Sequence, residues 1–186
     1  MSTRLQALAE ARSLVQTFGF NGFSFQHIAD RLGIKKPSLY AHFESKEALG
    51  LELIKSYRSE FERWTEIVSE FEPGPQVGAL FELYYKFACD DYKQCPLLAM
   101  TTEFNSLPKS MKKALAETGA FQRDWLIGVI ARGQKTKEFR RDLSSPELAH
   151  AILSMSYGSQ AFGRVGRNPE SIRAIKKAAL TLLEPV

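Results

Sequence analysis

Cysteine is scarce in this sequence, with Cys89 and Cys95 its two thiols. Two are too few for a disulfide framework, and no secretory signal opens the chain, so a reduced, cytoplasmic setting is expected. No apolar run approaches the roughly 18 residues of a membrane span, and no membrane partner is expected. Histidine is sparse too: His27, His42 and His150 fall in separate predicted helices. No His-Glu-x-x-His pair or paired cysteine–histidine spacing offers a metal site. Residues 158–165 carry two glycines at phosphate-loop spacing, but without the Lys-Ser/Thr ending or a preceding strand. No Gly-x-Ser-x-Gly elbow occurs. These absences point away from an enzyme, and neither cofactor nor metal is expected. A cysteine enzyme pairing Cys95 with a distant histidine is the rival.

The composition is that of an ordinary globular protein, at 44% hydrophobic and 25% charged residues. At 186 residues the chain can form one sizeable core, or a small module joined to a larger domain. The net charge of +4 permits a polyanion partner without demanding one. Residues 1–48 hold six basic and four acidic side chains, against nine and twelve in 49–131 and ten and five in 132–186. A nucleic-acid contact in the first fifty residues therefore rests on few, well-placed charges.

Helical period runs the length of the chain, and no segment alternates as a strand does. Leu5, Leu8, Ala11, Val15 and Phe18 draw the stripe of a first helix, which Gly19 and Gly22 end. Ser24 is placed to cap a short second helix that buries Phe25, Ile28, Ala29 and Leu32. Gly33 supplies a tight turn, Ile34 a plug behind it, and Pro37 suits the first turn of a third helix. Ser45 opens a fourth helix whose stripe runs through Leu49, Leu53, Tyr57, Phe61, Trp64, Val68 and Phe71 to Pro73-Gly74-Pro75, the expected boundary. Further helices are predicted over the Leu80–Phe81–Tyr84–Phe87–Ala88 stripe, over residues 97–107, after Pro108, from Ser145-Pro146 and from Asn168-Pro169. The fold class is all-α.

Within residues 35–49, KKPSLYAHFESKEAL, Leu39 and Phe43 anchor a short helix and leave Lys36, Ser38, Tyr40, Ala41 and His42 outward. Two short helices joined by a glycine turn, the second with a polar face, form a helix-turn-helix pattern suited to the major groove. The run FGFNGFSFQHIADRLGIKKPSLYAHFESKEAL, residues 18–49, resembles the DNA-binding domain of the TetR family of transcriptional regulators. The resemblance covers residues 4–54 and implies about nine helices. Three form a helix-turn-helix head, residues 1–48, and a fourth from about residue 46 links it to a ligand-binding and dimerisation body, residues 49–186. It implies a homodimeric repressor on a palindromic double-stranded DNA operator, released by a small-molecule inducer. By position, Ser24 and Gln26 meet phosphate, and Lys35, Lys36, Pro37 and Ser38 approach bases and backbone. Tyr40 and His42 grip the flanks, and Lys46 occupies the family's phosphate-contacting lysine position. The family often carries glycine or a small polar residue where Pro37 stands, and proline removes one amide donor.

In the body the likeness is one of architecture. Phe61, Trp64, Phe81, Tyr84, Tyr85, Phe104, Phe121 and Trp125 are candidate walls of a ligand cavity or plain core. Cys95, before Pro96, resembles a cysteine that some family members use to sense oxidants or electrophiles. A small buried core cysteine is the competing reading. The small residues between 149 and 163 fit either a subunit interface or a tight monomeric core.

Overall fold

The structure is a computed structural model describing residues 2–186, all helical apart from turns and loops among the described residues. The helices are α1 (Thr3–Phe18), α2 (Phe25–Leu32), α3 (Lys36–Tyr40), α4 (Lys46–Val68), α5 (Pro73–Cys89), α6 (Pro96–Thr101), α7 (Lys109–Lys135), α8 (Ser145–Val165) and α9 (Glu170–Leu183). They fall into two compact units. The first takes the chain through Glu60 together with Cys95–Thr118, and the second takes Phe61–Gln94 with Gly119–Val186.

In the first unit, α1 buries Ala7, Ala11, Leu14 and Val15. The expected stripe is turned by part of a helical step, for Leu5 and Phe18 are 53% and 56% exposed. Small Ala7 and Ala11 on the inner face let α1 pack against α2 and α6. Between α2 and α3, Gly33 adopts a left-handed φ of 65°, and Ile34 N–H reaches back to the Ala29 carbonyl at 3.0 Å. This satisfies a carbonyl that a helix end would leave open. Helix α3 is only five residues long and is held by Leu39, which is fully buried. Phe43 N–H closes on the Leu39 carbonyl at 2.9 Å, so the second anchor lies just past the helix. Ser45 caps α4 through its hydroxyl, which accepts from Ala48 N–H at 3.0 Å. Gly50 permits close packing, since a Cβ there would stand 2.6 Å from Met111 Cε and 2.7 Å from the Phe20 ring.

Helix α4 ends at Val68 rather than at the prolines, and Phe71 lies outside it, half exposed. Pro73-Gly74-Pro75 forms the first turn of α5, where missing amide donors cost nothing. The helix expected over 97–107 stops at Thr101, and a 3₁₀ turn follows at Phe104–Ser106. In the second unit, α8 and α9 pack on one another and on α5. Their core includes Phe81, Leu126, Ile130, Phe139, Ile152 and Ile172. The small residues of α8 divide: Ala149, Ser156, Ser159 and Gly163 are buried, while Ser154 and Ala161 face outward. Ser144, one residue before the expected start, caps α8, with Glu147 accepting its N–H at 2.8 Å.

Candidate nucleic-acid interface

The short helix α3 presents Lys36, Pro37, Ser38 and Tyr40 to solvent, with Lys35 just before it and His42 just after. Leu39 and Phe43 take the opposite side, 0% and 3% exposed. A five-residue helix cannot hold itself in water, so these two anchors fix the face. The Tyr40 ring rests on Phe25 at 5.0 Å between centroids while remaining half exposed. That contact orients its hydroxyl-bearing edge without burying it. At the start of α2, Ser24 N–H donates to His27 Nδ1 at 3.0 Å, and exposed Gln26 donates to Asp30 Oδ1 at 2.6 Å.

Lys46 is partly enclosed. Its ammonium lies 4.7 and 4.4 Å from the Phe20 and Phe23 ring centroids and donates to the Phe23 carbonyl. Burial pulls its pKa below the usual lysine value, with Glu103 opposing that shift. Two aromatic faces and a carbonyl therefore steady this ammonium within the fold.

The aromatic candidates separate into different places. Phe61, Trp64, Phe121 and Trp125 come together in the second unit, with Phe61–Trp64 at 5.1 Å and Trp64–Trp125 at 5.2 Å. Phe121 and Trp125 stand edge-on to Phe61 at 6.1 and 5.7 Å. Phe81 is wholly buried in the core of that unit. Tyr84 is also buried, its ring 6.2 Å from Tyr157. Tyr85 is half-buried and donates to Glu170 at 2.5 Å beneath the Arg173 guanidinium; the hydrogen bond to Glu170 raises its pKa, and the Arg173 charge opposes that shift. Phe104 and Cys95 belong to the first unit. Phe104 is exposed beside Lys112.

Cys95 is fully buried, with its sulfur 2.8 Å from the Tyr57 hydroxyl. Burial raises the thiol pKa, against the lowering effect of that hydrogen bond. A protonated, enclosed thiol is a poor nucleophile, which supports the core reading of Cys95 over the sensor reading.

Residues 7–53 match the family described as bacterial regulatory proteins, tetR family, and residues 73–179 match the tetracyclin repressor-like, C-terminal domain. The second match alone spans more than half of the chain. The protein belongs to the TetR family. Among curated relatives it is 27% identical over 161 residues to the HTH-type transcriptional repressor DhaR of Mycobacterium sp. (strain GP1), covering 83% of this chain and 78% of that one. It is 28% identical over 152 residues to the HTH-type transcriptional repressor KstR2 of Rhodococcus jostii (strain RHA1), covering 81% and 74%. A TetR-family regulator from Agrobacterium tumefaciens shares the fold, with a TM-score of 0.92, 23% identity and 97% of each chain covered.

This TetR-family protein is a DNA-binding transcriptional repressor under ligand control. No helix among its described residues is long and apolar enough to cross a membrane. One residue escaped notice in the sequence. Glu103, just past α6, accepts from Phe20 N–H at 2.6 Å and Asn21 N–H at 3.1 Å. A second tie joins Asn21 Nδ2 to Ser106 Oγ at 2.8 Å. These bonds fasten the loop before α2 across more than eighty residues of sequence, a separation no local pattern signals.

Proposed function

We propose that the protein is a homodimer that represses from a palindromic duplex operator and is released by an uncharged, largely apolar inducer acting through the body. The observation that carries the reading is the face of Lys36, Ser38 and Tyr40, flanked by Lys35 and His42, exposed on a helix whose other side is anchored by Leu39 and Phe43. A helix of this kind enters the major groove, and Lys36, Pro37 and Ser38 at its start meet base edges and backbone. Ser24 and Gln26 meet phosphate, and Tyr40 and His42 hold the flanking backbone. Lys46 is left out of this set because its ammonium is already held by Phe20, Phe23 and the Phe23 carbonyl.

One head offers too few contacts for specific binding, so two heads on successive major grooves, roughly 34–36 Å apart, supply the rest. Exposed Phe162 and Val165 at the end of α8, 80% and 87% accessible, supply apolar surface for the twin subunit. Residues 1–48 then form the DNA-reading module, and 49–186 the ligand-binding and dimerisation body. The Phe61–Trp64–Phe121–Trp125 cluster is the favoured wall for the inducer, which acts by binding one conformation better than the other. The protein works by binding, without turnover.

Selection of bound fragments from the source genome tests this reading. Enriched fragments should share an inverted repeat, and fragments with no common motif would overturn it. Cys95→Ser should leave inducer release unchanged.

A further inference from the structure

A hollow of about 230 Å³ lies within the first unit, lined by residues of α1, α4 and α6. Its frame is unusual. Arg4 pairs with Glu52 and Arg12 pairs with Glu60, so α1 is laced to α4 by two ion pairs that stand eight residues apart on both helices. Two helical turns separate the laces. Between them, Leu5, Leu8, Leu53 and Tyr57 line the hollow, and Pro96 and Met100 of α6 complete it. Long charged side chains span the space between the helices where apolar side chains would otherwise fill it. An apolar void forfeits the contacts its lining could make. Leu5, 53% exposed, keeps that lining open to solvent.

The polar handles gather at one edge. Glu60 accepts from Arg12 through Oε2 and from the Ser56 hydroxyl through Oε1 at 3.0 Å. Arg12 and Glu60 neutralise each other, so the edge favours no net charge. It suits a hydroxyl, which can donate to the carboxylate and accept from the guanidinium. The volume limits the guest. It exceeds the roughly 150 Å³ cavity that takes benzene and falls below the roughly 300 Å³ at which drug-sized pockets begin.

We infer that this hollow binds an uncharged single-ring phenol or alcohol with a short alkyl substituent, its ring among Leu5, Leu8, Leu53 and Met100 and its hydroxyl at the Arg12–Glu60 edge. The lining lies wholly in the unit that carries the reading helix and shares no residue with the Phe61–Trp64–Phe121–Trp125 cluster. Because α1 packs on α2, a guest wedged between α1 and α4 acts on the element that supports the helix-turn-helix.

Isothermal titration of the full-length protein with 4-ethylphenol tests the inference. Wild type should bind saturably, and 4-ethylanisole, which cannot donate, should bind at least tenfold more weakly. Ala9→Trp and Ser56→Trp, both at exposed lining positions, should each weaken 4-ethylphenol tenfold or more while leaving the thermal unfolding midpoint near wild type. One folded variant suffices. Trp64→Ala should bind as wild type does. Absence of saturable binding, equal binding by wild type and a folded Trp variant, equal binding of the two probes, or loss of binding in Trp64→Ala would each overturn it. Operator DNA takes no part in the titration, so a failure of the repression reading leaves this result standing.

Discussion

The reading face and the aromatic cluster differ in how far apart along the chain their parts lie. Lys35 to Phe43 form a continuous stretch, and its layout follows from helical spacing once Leu39 and Phe43 are known to point inward. Phe61 and Trp64 come from α4, whereas Phe121 and Trp125 come from α7, and only folding brings the four together. The first region is a polar surface on a thin apolar anchor, so its side chains can change with little loss of stability. The second is interlocked packing, where the same atoms that would meet a ligand also hold the fold. In the head, the exposed candidates and their anchors sit on opposite sides of one short helix; in the body, the candidate ligand wall and the packing share residues.

That contrast is sharpest at the anchors. Phe61→Ala should cost about 3–5 kcal/mol and Leu39→Ala about 2–5 kcal/mol. Thermal unfolding followed by circular dichroism would show both, and Leu39→Ala should also abolish operator binding. A Leu39→Ala protein that melted as wild type and held its operator would break the view that α3 depends on its buried side.

Exposed positions on the same helix should behave in the opposite way. Lys36→Ala should weaken operator binding about tenfold, or about 1.4 kcal/mol, and shift which bases are preferred. Its unfolding free energy should stay within about 0.5 kcal/mol of wild type. Binding measured against a panel of operator variants would separate the two effects.

Lys46 then divides lysines by environment rather than by position in the motif. Lys46→Ala should lower stability by about 1–2 kcal/mol, through lost contact with Phe20 and Phe23 and an unmet Phe23 carbonyl. The salt dependence of operator binding should keep its slope, because no phosphate contact is removed. A slope reduced by about one counterion would restore Lys46 to the DNA interface.

The smallest effect is expected in the second unit. Hydrogen bonds from Lys176 and Arg173 hold the Glu82 pKa below the ordinary carboxylate range. A depressed folded-state pKa adds stability that is complete above the unfolded value, near 4, and is lost as pH falls through the lower folded value. Glu82→Gln should therefore flatten the acid limb of stability below about pH 4, by lowering stability slightly at neutral pH and leaving it little changed in acid, where the carboxylate is protonated anyway. An unaltered acid limb in urea titrations would show that this partly exposed network contributes nothing measurable.

The sequence by itself determined the all-helical class, the helix-turn-helix and the inward Leu39 and Phe43, because each depends on spacing within a few residues. It also placed Gly33 and Ser45 correctly, since turns and caps are local chemistry. Tertiary structure decided the rest. Which face of α1 is buried depended on the approach of α2 and α6, and so Leu5 and Phe18 lie outside. Glu103 reaches the Phe20 and Asn21 amides from more than eighty residues away, and Cys95 lies closed in beside Tyr57. The Lys46 ammonium lies against the Phe20 and Phe23 rings, a contact that its place in the motif does not announce. Helical period reports which residues share a face; what that face meets is set by elements distant in the chain.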